Sequence, residues 1–236
     1  MTPRIASRNE LDAMVVNVEL TLSSIVQGVA LYFLAENTRT VLHTNRAQAW
    51  PYVVAGLLII LLFWSRSLIH TLTLIRWPLE FGHNCLYLAC ALVEVLAFTR
   101  LAQPFAWFVM LAVFSAIVWI IFIYDLKIIR LRMSECSTPA SCQLYDLVMR
   151  DQRLNIRFVV PAVCLFNVLA AVALHVRPDL FLVRPWHLAF INLEAVGLLL
   201  YLWLVIRSFT KITPLIALTR EDWRSGSGGG TESAAN

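Results

Sequence analysis

Hydrophobic residues are gathered along the chain into six long blocks, separated by polar or proline-bearing stretches. A helix that crosses a bilayer needs about 20 mostly apolar residues, and each of the six blocks is long enough. The pattern therefore predicts an all-α, polytopic membrane protein with six transmembrane helices within residues 1–212. The predicted helices cover 14–35, 51–75, 79–99, 104–126, 156–176 and 185–206.

Two segments lie outside these blocks. Residues 127–155 are predicted to form a loop that is helical in part, because Leu144, Leu147 and Val148 recur at helical spacing among charged residues. Residues 213–236 are predicted to form a tail, and its Ser/Gly-rich composition predicts disorder from about residue 225.

Lys and Arg are distributed unevenly over the two sides that six crossings define. With the N-terminus in the cytoplasm, thirteen of the 19 Lys and Arg residues lie in inner segments and five lie in outer ones, while Arg66 lies within a helix. This excess follows the positive-inside rule. We therefore expect both termini, the 127–155 loop and the 213–236 tail in the cytoplasm of a multi-pass protein of the bacterial inner membrane. The outer five are Arg39, Arg46, Arg100, Arg177 and Arg184.

Composition agrees with a lipid environment and argues against several functions. The 236 residues are 59% hydrophobic and only 14% charged, whereas soluble domains carry about 25% charged residues. No Lys/Arg-rich run indicates nucleic-acid binding. No HExxH, GxSxG or P-loop motif is present, so we expect neither an enzyme with catalytic residues nor a cofactor or metal site. Asp125, followed by Lys127 and Arg130, has the pattern of an ordinary charged helix end.

The five cysteines form no CxxC pair, so a metal site built from cysteine is not expected. Cys136 and Cys142 flank a short Ser/Thr/Pro stretch and are close enough in sequence to pair. Because the charge distribution places them in the reducing cytoplasm, we expect free thiols there.

The first predicted helix has a polar side. At about 100° per residue, a group of small or polar residues falls on one face. Small residues let helices approach closely and hydrogen-bond to one another, while a water-lined pore wall would have the same composition, and the sequence leaves both interpretations open. For a pore, the lining residues would be Asn17, Thr21, Ser24, Gln27 and Gly28. The bulky residues Leu22, Ile25 and Val29 would form a hydrophobic constriction that gates by dewetting.

Ionisable and amide side chains form a stripe on the third predicted helix, which contains Glu80, His83, Asn84 and Glu94. An ionisable side chain inside the bilayer is costly when it is charged, unless it is paired or hydrated. It can also avoid this cost by staying neutral. We therefore predict that Glu94 is buried against polar groups of a neighbouring helix, with its carboxyl protonated or hydrogen-bonded. Glu194, in the sixth predicted helix, is the other central acid.

Arg66 and His70 share a face near the inner end of the second predicted helix. Arg66 is the only Lys or Arg well inside a predicted span, since Arg157 stands at the inner end of its span. We therefore expect Arg66 to compensate Glu19 or Glu80. A buried ion pair that fixes helix register and a gating or proton-linked role both fit this placement.

The run LLIILLFWSRSLIHTLTLIRWPLEFGHNCLYLACALVEVLAF resembles the second and third helices of the endolysosomal potassium/proton leak-channel family and its short bacterial relatives. The resemblance lies in Trp64 near the end of a long apolar helix, in the basic positions Arg66, His70 and Arg76, and in Asn84 near the start of the next helix. It implies a homo-oligomer, with a tetramer favoured, that conducts a monovalent cation through a pore lined by the first helices.

Two other functions fit the same sequence. One is a membrane-anchored sensor or scaffold that binds a cytosolic protein partner through the 127–155 segment and the C-terminal segment. The other is a proton-coupled transporter that uses Glu94 or Glu194. A channel predicts that the polar face of the first helix meets copies of itself, whereas a transporter predicts acids around a cavity within one protomer.

Overall fold

The computed structural model describes the backbone of residues 3–43, 47–74 and 81–226, and the side chains of 10–41, 48–74 and 81–219. Within these ranges the chain is helical and has no strand, which confirms the predicted all-α class. Short 3-10 and π-helical turns occur at Ala47–Ala49, Asn155–Val159 and Asp179–Val183. The α-helices are α1 (Pro3–His43), α2 (Trp50–Leu74), α3 (Phe81–Phe98), α4 (Pro104–Ser134), α5 (Pro139–Leu154), α6 (Val160–Val176) and α7 (His187–Gly226).

Six of the described helical stretches are long and apolar enough to cross a membrane, as predicted. Five of these stretches lie within α1, α2, α3, α4 and α7. The sixth is the continuous rod Pro139–Val176, in which α5 and α6 are joined through the π-helical turn Asn155–Val159.

The segment between the fourth and fifth predicted spans is more helical than expected. Helix α4 continues through Ser134, and α5 starts three residues after Cys136 with a capping box. In this box the Ser141 N–H donates to Thr138 Oγ1 at 3.3 Å, and the Thr138 N–H donates to Ser141 Oγ at 3.1 Å. The capping box gives partners to N–H groups that would otherwise be free at the start of α5. The helical character predicted for part of 127–155 is confirmed by α5 and the end of α4.

Helix α7 also continues well beyond its predicted end at residue 206. Ile212 and Thr219 in this extension are buried, and α7 packs along both α2 and α5. The extension therefore packs against α5, a contact that the end of the apolar block at residue 206 did not predict. The last part of the predicted disordered tail, 227–236, lies outside the described residues.

The helices pack in a bundle in which α1 lies against α2 and α3, while α4 contacts α3, α5 and α6. The main hydrophobic core is aromatic, with Tyr52, Phe98, Trp107 and Phe108 almost fully buried. Tyr52 and Trp107 meet edge to face, with ring centroids 5.5 Å apart, an arrangement that aromatic rings prefer. Because lipid is as apolar as these side chains, this close packing, rather than exclusion of water, holds the helices together.

Cys136 and Cys142 do not follow the expectation of free thiols. The turn between α4 and α5 brings their Cα atoms to 5.4 Å, and the two residues form a disulfide. A disulfide is typical of oxidising compartments, whereas the positive-inside rule places this turn in the cytoplasm. The orientation of the bundle therefore needs a direct experiment.

We expect the charge distribution to decide the orientation, because Lys and Arg bias governs insertion. In a variant without native cysteines, a cysteine introduced by Gln103→Cys, in the turn before α4, should react with a membrane-impermeant maleimide on intact cells. A cysteine introduced by Ser137→Cys, in the turn before α5, should react only after permeabilisation. Both native residues are exposed, so the two variants are matched for access. The opposite labelling pattern would contradict the predicted orientation. It would place the turn between α4 and α5 on the oxidising side, where a Cys136–Cys142 disulfide is expected.

Candidate functional site

Two imidazoles and one carboxylate form a compact buried cluster, which we call the His–His–Asp cluster: His70 of α2, His83 of α3 and Asp125 of α4. The two imidazole rings stack with centroids 4.3 Å apart and planes 4° from parallel. His70 Nδ1 lies 3.5 Å from Asp125 Oδ2, and His83 Nε2 lies 3.3 Å from Asp125 Oδ1. Asp125 is only 5% exposed, so one carboxylate joins two imidazoles inside the bundle.

The helix ends explain why these residues meet. His70 lies about one turn before the described end of α2 at Leu74, and His83 lies in the first turn of α3. Both rings therefore lie near the ends of their helices, where they stack at the same level. Helix α4 packs against α3 and carries Asp125 to that level.

Asp125 was predicted to belong to an ordinary charged helix end, and this prediction is wrong. Helix α4 does not end there but continues to Ser134. Asp125 shares the buried face of α4 with Ile121, Phe122 and Ile128, whereas Lys127 and Arg130 are exposed.

Arg66 finds partners on α5, and among the described residues it does not pair with the predicted Glu19. Its Nη1 donates to Asp151 Oδ2 at 2.5 Å, and its Nη2 donates to Gln152 Oε1 at 3.0 Å. Glu80 lies outside the described residues. The prediction missed these partners because it took 127–155 for a loop, whereas α5 brings an acid and an amide to the guanidinium.

The amide of Gln152 connects this ion pair to the His–His–Asp cluster. Its Nε2 donates to Phe122 O at 3.0 Å and lies 3.4 Å from Asp125 Oδ2. On the other side, Asn155 Nδ2 donates to Asp151 Oδ2 at 3.2 Å and Tyr201 donates its O–H to Asn155 Oδ1 at 2.9 Å. The polar network thus includes side chains from α2, α3, α4, α5 and α7 and from the π-helical turn.

A cavity of about 120 Å³ adjoins the cluster. The polar residues of its wall, besides the cluster, are Arg66, Ser67, Tyr87, Ser115 and Tyr201. The remaining wall is apolar and comes from α2, α4, the π-helical turn, α6 and α7, with Leu62, Phe63, Phe114, Val118, Val160 and Leu198 among its residues. The volume is sufficient for several water molecules, each of which needs about 10–15 Å³ by this measure.

Several polar atoms of the cluster are buried without a well-aligned hydrogen bond. They are both ring nitrogens of His70, Nδ1 of His83 and Oδ1 of Asp125. Buried polar atoms in proteins nearly always have partners, and exceptions indicate a bound water, an ion or a catalytic role. Arg66 is paired with Asp151, so the charge of Asp125 is balanced either by a proton on His70 or His83 or by a cation that the cluster holds.

A second line of polar contacts runs between α1 and its neighbours. Asn84 Nδ2 donates to Glu19 Oε1 at 2.6 Å. Ser23 Oγ lies 2.9 Å from both Ser67 Oγ and Tyr87 Oη. The amide of Asn84, and not Arg66, is thus the partner of Glu19 inside the bundle.

Glu94 lies where its sequence predicted, with its side chain fully buried at the interface of α3 with α1. Gln27 Nε2 donates to Glu94 Oε2 at 3.4 Å. Gln27 is only 5% exposed, so the structure separates it from the other predicted pore-lining residues.

The other four predicted pore-lining residues, Asn17, Thr21, Ser24 and Gly28, face away from the bundle and are exposed. The hydroxyls of Thr21 and Ser24 donate to backbone carbonyls of α1 itself, both at 2.8 Å. Of the predicted constriction, Ile25 and Val29 share this exposed side, with 60% and 47% of their surfaces accessible, whereas Leu22 is half-buried.

Glu194 takes part in a separate polar group on α7. Trp107 Nε1 donates to Glu194 Oε2 at 3.3 Å, and Tyr52 Oη lies 2.9 Å from His187 Nδ1 in the same aromatic region. Neither Glu194 nor Glu94 lines the cavity beside the His–His–Asp cluster.

The sequence singled out Arg66, His70 and His83 as intramembrane polar residues on two helices, but it did not bring them together and it missed Asp125 and Asp151. The buried face shared by Asp125, Ile121 and Ile128 at helical spacing was a usable signal for the first. No family model, curated protein or solved structure matches this chain.

Proposed function

We propose that this multi-pass membrane protein transports a cation through its own helical bundle and binds it at the cavity beside the His–His–Asp cluster. The observation that carries the proposal is the environment of Asp125. This carboxylate is buried, lies next to a cavity and has an oxygen without a well-aligned hydrogen bond.

Charge favours a cation as the cargo. A buried carboxylate is costly unless a positive charge balances it. The two imidazoles beside Asp125 supply such a charge only when protonated, and Arg66 is already held by Asp151. Intramembrane ionisable residues that face a cavity are typical of ion pathways. The cavity and its acid lie within one protomer, as a transporter requires, although the acid is Asp125 and not the predicted Glu94 or Glu194.

The test is cation flux into liposomes reconstituted with the full chain, measured in turn for protons, alkali ions and divalent ions. We expect Asp125→Asn to reduce the flux by about tenfold or more, because a hydrogen bond or contact to a charged group contributes about 1.5–3 kcal/mol. The control is Glu36→Gln, since Glu36 is an exposed acid on α1. Variants are compared only when they elute from gel filtration as the wild type does. Absence of any wild-type flux, or an unchanged flux in Asp125→Asn, would contradict the proposal.

An oligomeric cation channel is the second candidate, and one observation favours it. Asn17, Thr21, Ser24 and Gly28 lie exposed on the side of α1 that its own bundle does not use. A homo-oligomer, such as the tetramer implied by the resemblance, would bring these faces together around an axis.

The same liposomes distinguish the two candidates. In a channel lined by α1, Thr21→Leu would block the flux and Asp125→Asn would leave it, whereas transport through the cavity requires the reverse.

A further inference from the structure

We propose that His70, His83 and Asp125 bind a divalent transition-metal ion of the Zn²⁺ class. The inference rests on the proposed function in one respect, namely that the bound metal would be the transported cation. The site itself is argued from its own geometry and chemistry.

The spacing of the donor atoms fits a small ion. One donor atom from each of the three residues lies within 4.8 Å of the other two. In a tetrahedral zinc site, with bonds of about 2.0–2.1 Å, neighbouring donors are about 3.3–3.4 Å apart. The distance from His70 Nδ1 to Asp125 Oδ2 is 3.5 Å and that from His83 Nε2 to Asp125 Oδ1 is 3.3 Å, both close to this edge length. Each imidazole thus lies beside a different oxygen of the one carboxylate.

The donor chemistry selects the class of metal. Two imidazoles and one carboxylate are the protein ligands of many zinc sites that keep a fourth position open, and they also suit other borderline divalent ions. Calcium and magnesium prefer sites made wholly of oxygen ligands, which two histidines cannot supply. The site therefore discriminates against the hard cations that are most abundant in cells.

The surroundings support binding in two ways. Gln152 Nε2 lies 3.4 Å from Asp125 Oδ2, which orients the carboxylate as outer-shell partners do in metal sites. Both ring nitrogens of His70 and Asp125 Oδ1 lack well-aligned hydrogen bonds. His83 Nε2 lies 3.3 Å from that oxygen, so a metal would replace the His83–Asp125 contact and use His70 nitrogens that nothing else occupies. The rings lie parallel, and one must rotate to aim both nitrogens at one ion. The adjoining cavity provides space for that rotation and for a water molecule as fourth ligand.

Metal binding can be measured on the full chain in mild detergent, without an affinity tag and after treatment with a chelator. We expect one Zn²⁺ per protomer by equilibrium dialysis with elemental analysis, and visible absorption bands of low-symmetry Co²⁺ that Zn²⁺ removes. His83→Gln and Asp125→Asn should each weaken Zn²⁺ binding by about 100-fold or more, since loss of an outer partner alone costs about 10- to 100-fold. The matched control is His175→Gln, because His175 is an exposed histidine on α6.

Zinc binding that none of the cluster variants weakens, or that His175→Gln weakens equally, would overturn the inference. If a variant fails to fold, the wild-type Co²⁺ spectrum decides, and the absence of such bands also overturns it. The proposed function fails separately. Cluster-dependent Zn²⁺ binding without flux of any cation would leave the metal site standing and refute transport. Asp125-dependent flux of protons or alkali ions without metal binding would do the opposite.

Discussion

Replacing Arg66 with Met is expected to lower the free energy of unfolding by roughly 3 kcal/mol. Removing one partner of a buried ion pair costs about 3–5 kcal/mol, because the remaining charge stays desolvated and unpaired. We place the effect at the lower end because the Asp151 side chain keeps 27% of its exposure and can regain some water. Denaturant titration of the purified protein in mild detergent measures the difference.

The companion variants separate loss of charge from loss of packing. Arg66→Met combined with Asp151→Leu should recover most of the stability, because no unpaired charge then remains. Arg39→Met removes an exposed pair with Glu36 and should change the free energy by less than about 1 kcal/mol. If Arg66→Met proves no more harmful than Arg39→Met, the Arg66–Asp151 contact does not stabilise the fold.

Replacing Glu94 with Leu is expected to destabilise the protein by about 1–3 kcal/mol, because it leaves the buried amide of Gln27 without its acceptor. Glu94→Gln should be nearly neutral, since its side-chain carbonyl still accepts the hydrogen bond from Gln27 Nε2. The same denaturant titration compares the two variants.

The double variant Gln27→Leu/Glu94→Leu should be more stable than Glu94→Leu alone, because both polar partners are then removed. Glu36→Leu serves as the control, since Glu36 is an exposed acid on α1. Equal stability of Glu94→Leu and Glu94→Gln would mean that the contact between α1 and α3 carries no energetic weight.

The membrane-spanning helices could be predicted because a bilayer imposes a simple rule on the sequence. Every span needs a long uninterrupted apolar stretch, and this signal survives in any fold. The helices that leave the apolar blocks follow no such rule. Helix α5 and the end of α7 are stabilised by contacts with each other and with α4, through residues such as Leu144, Val148 and Ile212. These contacts depend on which helices are neighbours, which hydrophobic periodicity does not reveal.

The candidate site shows the same division. The cost of burying Glu94 predicted a polar partner on a neighbouring helix, but its identity, Gln27, came only with the packing of α1 against α3. The cost of burying Arg66 likewise predicted an acid, but Asp151 was not among the candidates, because it lay in a segment taken for a loop. Physical chemistry thus predicted that each buried charge has a partner, and helix arrangement decided which one.

The π-helical turn Asn155–Val159 has a mechanical consequence. Helices bend sharply at π-type irregularities, so this turn is a natural hinge in the rod Pro139–Val176. Before the turn, Asp151 and Gln152 of α5 bind Arg66. After it, α6 forms part of the cavity wall. Bending at this turn would move α5 as a unit. It would separate Asp151 and Gln152 from Arg66 together, and it would move the Gln152 amide away from Asp125. The Arg66–Asp151 ion pair would then close access to the Asp125 carboxylate from the α5 side. The strength of this ion pair would set how often that access opens.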